Sequence, residues 1–189
     1  MLNRDQRKKL LEIARSTIEA TLLGRRAEID ESALDDHLKT PSGVFVTLRT
    51  RRGELRGCIG SLHPVAPLYR AVESSAINAA FHDPRFDPVT AEELGALEIE
   101  ISVMGPIESV ARPDEIMVGR DGLIVSRGRN AGLLLPQVAT EYGWDRDTFL
   151  RQTCVKAGLP PDSWRAADCR LEKFEAEVFG DLRFEIDDL

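Results

Sequence analysis

Six consecutive residues, Leu55-Arg56-Gly57-Cys58-Ile59-Gly60, set a thiol between two glycines and two residues from a guanidinium. The hexapeptide reads as a strand. Glycine inside a strand marks a bulge or a close approach by another backbone or a ligand. Side chains alternate along a strand, so Arg56, Cys58 and Gly60 share one face and Leu55, Gly57 and Ile59 the other. An arginine beside a thiol on a glycine-cleared face can hold an anion, or can lower the thiol pKa and make it a nucleophile. The competing reading is a core strand with an inert cysteine, because free Cys is among the most buried residue types. A second polar group follows at His82-Asp83-Pro84-Arg85-Phe86-Asp87-Pro88, where two prolines stiffen a loop that can present an Asp, an Arg and a Phe together. There the plainer reading is a turn capped by Asp83 with Arg85 paired to it.

These groups need elements to position them. Val44 to Thr50 alternates and is rich in β-branched residues, which predicts a strand, and Arg51-Arg52-Gly53-Glu54 predicts a turn. The hexapeptide then returns as the antiparallel partner. A register centred on Arg52 and Gly53 pairs Val46 with Ile59, Leu48 with Gly57, Thr47 with Cys58 and Arg49 with Arg56. Two arginines directly opposite each other are unfavourable, which suggests something negative between them. Pro67 to about Phe81 predicts a helix with a small-residue stripe that lies close to this hairpin. The expected site therefore has Cys58 and Arg56 as candidate catalytic residues, with Arg49, Gly57, Gly60, His82, Asp83 and Arg85 as candidate ligand-binding residues.

Elsewhere, Arg4 to Leu23 predicts an amphipathic helix capped by Asn3, and Thr90-Ala91-Glu92-Glu93 matches a capping box for a short helix. Leu97 to Met104 alternates as a half-buried strand, with Gly105-Pro106 read as its break. Leu123 to Ser126 and Gly132 to Leu135 predict a second hairpin, Asp145 caps a helix to about Ala157, and Arg170 to Phe179 reads as a late strand. The tail from Gly180 to Leu189 is acidic and expected to fray.

The composition narrows the function classes. The 189 residues carry 42% hydrophobic and 30% charged side chains, an ordinary globular balance. A net charge of -7 disfavours a phosphate-backbone binder. No apolar run approaches the roughly 20 residues needed to span a bilayer, and no signal peptide is visible. Cys58, Cys154 and Cys169 are odd in number and form no CxxC, so a cytoplasmic protein with reduced thiols is expected. His37, His63 and His82 stand apart, so no metal is predicted, and no cofactor motif is present.

Gly43-Val44-Phe45-Val46-Thr47-Leu48 followed by Gly53-Glu54-Leu55-Arg56-Gly57-Cys58-Ile59-Gly60 resembles the signature of the AMMECR-domain family, whose bacterial and archaeal members are called AmmeMemoRadiSam system protein A. The likeness continues through Asp83-Pro84-Arg85-Phe86, Leu97 to Ser102, Gly119 to Leu123, Leu133 to Val138 and Phe174 to Glu177, in order over nearly the whole chain. The resemblance implies an α+β fold in two unequal lobes, with mostly antiparallel sheets flanked by helices. It implies one domain over 1–189 with a smaller lobe around 97–135. It also implies a setting, beside a Memo-like protein and a radical SAM protein. Two functions are expected from it: an enzyme or substrate-handling subunit working through a cleft at Arg56 and Cys58, or a non-catalytic module that binds a small anion or a protein. A nucleic-acid role stands third.

Overall fold

The computed structural model describes residues 1–181, so most of the acidic tail lies outside the described residues. The chain forms two compact units, Met1–Met104 with the described residues from Glu177 on, and Gly105–Ala176.

In the first unit, helix α1 (Arg4–Leu22) starts at a capping box in which Asn3 accepts from the Gln6 amide and Gln6 accepts in return from Asn3. Its Leu10, Ala14 and Ile18 are fully buried, as their three-to-four spacing requires. Helices α2 (Asp36–Lys39), α3 (Leu68–Phe81) and α4 (Ala91–Leu94) follow, the last with the Thr90/Glu93 capping box. Strands β1 (Val44–Thr50), β2 (Leu55–Ser61) and β3 (Leu97–Ser109) pair antiparallel in the order β2-β1-β3, which leaves β2 at the edge. Val44, Val46 and Leu48 of β1 and Ile99 and Ile101 of β3 join Ile18, Val72 and Ala76 in one core. The alternation thus sends every second residue of the strands onto α1 and α3. The intervening residues, among them Cys58, Thr47 and Glu100 in one cross-strand row, take the other face.

In the second unit, β4 (Asp121–Arg127) and β5 (Asn130–Leu134) form the second hairpin, with Gly128 at a φ of 60° in its turn. β4 also pairs antiparallel with β6 (Arg170–Gly180). Helices α5 (Pro136–Glu141) and α6 (Arg146–Lys156) complete the unit around Leu123, Phe149 and Leu150. Cys154 is fully buried here, and burial pushes its thiol pKa up.

β3 does not break at Gly105-Pro106, as expected from sequence, but continues to Ser109. Antiparallel strands point alternate amides away from a given partner, so one proline need cost no ladder bond. Within the second unit Gly105 lies tight against Glu175, where an added Cβ would sit 3.1 Å from the Glu175 carbonyl oxygen. No helix among the described residues is long and apolar enough to cross a membrane.

Candidate functional site

The register of the first hairpin is the predicted one from Ser61 to Gly57: Val46 faces Ile59, Thr47 faces Cys58 and Leu48 faces Gly57. It then slips. Arg49 faces Leu55, not Arg56, because a bulge between Leu48 and Arg49 leaves Arg56 as the extra residue. The expected opposition of two arginines is therefore absent, and with it the need for an anion between them. Arg56 instead donates through Nε and Nη2 to the two carboxylate oxygens of Glu93, at 3.0 and 3.2 Å. The guanidinium holds the Glu93 carboxyl below the usual carboxylate range. Arg49 sits across from Glu98 of β3, and its guanidinium donates to the Gly53 carbonyl at 3.2 Å.

The 82–86 loop does meet the hexapeptide, and it does so through the backbone. Asp83, only 4% exposed, accepts from the Cys58 amide at 2.9 Å, and Arg85 donates to the Cys58 carbonyl at 3.3 Å. Arg85 also bonds both Asp83 oxygens, at 2.9 and 2.7 Å. That pairing, together with the amides of Cys58 and Arg85, holds the Asp83 carboxyl well below the usual carboxylate range. In an antiparallel pair a residue's N–H and C=O point to the same side. Both groups of Cys58 therefore point off the outer edge of β2, and Asp83 with Arg85 closes that edge where another strand would otherwise pair. Phe86 lies under two guanidinium groups, with the Arg56 and Arg85 centres 5.9 and 5.4 Å from its ring centroid. His82 caps α3 through its amide and is exposed, and its ring has no bond in this network among the described residues.

The thiol of Cys58 is half-buried, and the Thr47 hydroxyl donates to its sulfur at 3.2 Å. The glycines have different tasks. A Cβ at Gly57 would lie 2.1 Å from the Ala79 carbonyl oxygen, so Gly57 lets α3 press against β2. A Cβ at Gly60 would lie 2.1 Å from the Val44 carbonyl oxygen, so Gly60 is fixed by the approach of β1. Neither clears room for the thiol. Gly60 does border a cavity of about 180 Å³ between the end of β2 and α3, lined also by Ile59, Ser61, Ala71, Ser75 and Asn78. Arg70 at its margin is ion-paired to Glu73 and Glu31. Cys58 does not line it. No cluster of three or more His, Cys, Asp or Glu that could hold a metal is found among the described residues.

Sequence reasoning passed over Glu93 as the partner of Arg56 and over Ala71, Ser75 and Asn78 of α3 as a cavity lining. Glu93 was legible only as the third helical residue of a capping box, and it does accept from the Thr90 amide at 2.8 Å. Nothing local signals that the same carboxylate also takes Arg56, which is 37 residues away. The α3 stripe, Ala71, Ser75 and Asn78, has the spacing of a buried helix face and so reads as packing.

The family model described as AMMECR1 matches residues 11–179. The chain belongs to the AMMECR1 family. A protein of Methanothermobacter thermautotrophicus is 49% identical over 184 residues, which is 94% of this chain and 95% of that protein. Protein MJ0810 of Methanocaldococcus jannaschii is 45% identical over 176 residues, 89% and 87% of the two chains. The solved structure of the uncharacterized protein PH0010 from Pyrococcus horikoshii matches with a TM-score of 0.90 at 44% identity, covering 95% of this chain and 93% of that one. The α+β architecture described above is therefore the fold of this AMMECR1 relative, and the hexapeptide sits within the matched residues.

Proposed function

We propose that this AMMECR1 protein is a binding module, whose ligand enters the cavity between β2 and α3, lined on the strand side by Ile59 and Gly60 at the end of the hexapeptide. The observation that supports this most directly is the neutralisation of the charges on and beside the hexapeptide. Arg56 is matched by Glu93 and Arg85 by Asp83, so the face expected to attract an anion carries its own carboxylates. The cavity beside it is a recess with hydroxyl and amide groups on a mainly apolar lining. Its volume is below the roughly 300 Å³ at which pockets for drug-sized ligands begin. That favours a small molecule or a single side chain over a nucleotide.

A catalytic reading keeps one supporting observation: the Cys58 sulfur is half-buried and accepts a hydrogen bond from Thr47. The rate of Cys58 alkylation against pH separates the two. The binding reading expects labelling no faster than a model thiol, whose pKa is about 8.5, at neutral pH. A Cys58 that labels at least tenfold faster, and slows on Thr47→Val, would restore the catalytic one. We place the protein in the setting of a Memo-like protein and a radical SAM protein, and co-purification of the three from cells checks it.

A further inference from the structure

We infer that the cavity's occupant is an extended polypeptide segment, which pairs with the edge of β2 at Gly60 and puts one uncharged side chain between β2 and α3. The inference rests on the binding-module reading above and names its ligand class. It starts from the direction of the backbone. Cys58 turns its N–H and C=O off the outer edge of β2, where Asp83 and Arg85 take them. Register is continuous from Cys58 to Ser61, and outward pairs recur every second residue. Gly60 therefore turns the same two groups off the same edge. There, among the described residues, no bond meets either of them. Gly60 is also only partly buried, so the pair is within reach of a ligand.

An outward donor and acceptor on one strand residue match the complementary pair of another strand residue, which is how an added β-strand binds an open edge. The edge is open over a short length only, because the Asp83–Arg85 pair blocks it at Cys58. The segment is thus held by one residue's backbone and by what lies beside it, and what lies beside it is the cavity. A volume of about 180 Å³ equals about six waters at ~30 Å³ each, the scale of one side chain. Arg70 at the margin is committed to Glu73 and Glu31, so it does not select a charged residue.

The test uses the full chain and a panel of blocked tripeptides, acetyl-Ala-Ala-X-N-methylamide, in which the central Ala pairs with Gly60 and X, the next residue along, points to the α3 face, with X each uncharged residue in turn. Binding is read from the Gly60 amide by hydrogen exchange and amide NMR shifts. In the free chain the Gly60 amide should exchange at least tenfold faster than that of Ile59. At least one peptide should slow it tenfold, and N-methylation of its central Ala, which removes the pairing N–H, should weaken that peptide at least tenfold. Ser74→Phe, which fills the mouth from an exposed helix position, should abolish binding with the melting temperature retained. Isovaleramide, which fits the volume and has no strand edge, distinguishes two failures. If isovaleramide shifts the Ser75 and Asn78 amides while every peptide leaves Gly60 unchanged, the cavity binds but the peptide inference is overturned. If the peptides bind and N-methylation has no effect, strand pairing is overturned. If neither probe shifts any of the three amides, the inference and the binding reading both fall.

Discussion

Asp83 holds the hexapeptide by its backbone: one buried carboxylate accepts from the Cys58 amide and positions the guanidinium that donates to the Cys58 carbonyl. Asp83→Ala removes the acceptor of a partly buried amide and frees Arg85, and an unmet group of this kind costs about 2 kcal/mol. For a chain of this size that is a fall in melting temperature of roughly 4–8 °C, measurable by calorimetry. The pH dependence has a definite sign. The Asp83 carboxyl is lowered in the folded state, so the unfolded chain binds the proton more readily. The stabilisation is then complete above the unfolded value of about 4 and is lost as pH falls below it. The stability gap between the wild type and Asp83→Asn, measured by urea unfolding, should be constant from pH 7 to 5 and narrow from pH 4 to 2. A gap that widens on acidification would contradict the assignment. The Asp83–Arg85 pairing was legible, since an Asp two residues before an Arg in a proline-stiffened loop invites it. Its target was not, because the bonds run to the main chain of Cys58, and main-chain polar groups are identical at every position.

At the level of elements, the β1–β2 hairpin was legible in strand positions and in register up to Gly57, because alternation and a Gly-containing turn specify both. The register beyond Gly57 was not. A bulge changes the pairing by one residue without altering the apolar pattern enough to be seen. That single residue reverses the chemistry inferred for Arg49 and Arg56, from an anion cradle to two arginines facing different carboxylate-bearing elements. β3 shows the opposite error: Gly105-Pro106 looks like punctuation, yet the strand runs through it. Packing between α3 and β2 gives a sharp contrast among glycines. Gly57→Ala drives a methyl to 2.1 Å from the Ala79 carbonyl oxygen, so α3 must shift, at a cost of about 3 kcal/mol and roughly 6–12 °C in melting temperature. Gly95→Ala has nothing within 4 Å and an ordinary φ of -66°, so it should be neutral or gain about 0.5 kcal/mol. Equal melting temperatures for the two variants would show that α3 does not press on β2 as described.

At the scale of the whole chain, the two units each have their own core, one around Ile18, Val46 and Ile101 and one around Leu123, Phe149 and Leu150. Phe149→Ala should cost about 3–5 kcal/mol. Native-state hydrogen exchange should show its effect within Gly105–Ala176 first, with the α1 and β1 amides keeping their protection. Uniform loss of protection would mean that the chain opens as one cooperative body. The chain enters the second unit at Gly105 and leaves it at Ala176, and Gly105 lies directly against Glu175. Entry and exit are therefore about one strand spacing apart, ~5 Å, the gap that a two-residue hairpin turn closes. In terms of descent, such a segment is a cassette: it can be gained, lost or exchanged in one event without cutting through the host's core. Replacing 106–175 by Asn-Gly should accordingly leave a chain that melts cooperatively, and length differences among relatives should gather between those two positions while the hexapeptide and its α3 stripe keep their spacing.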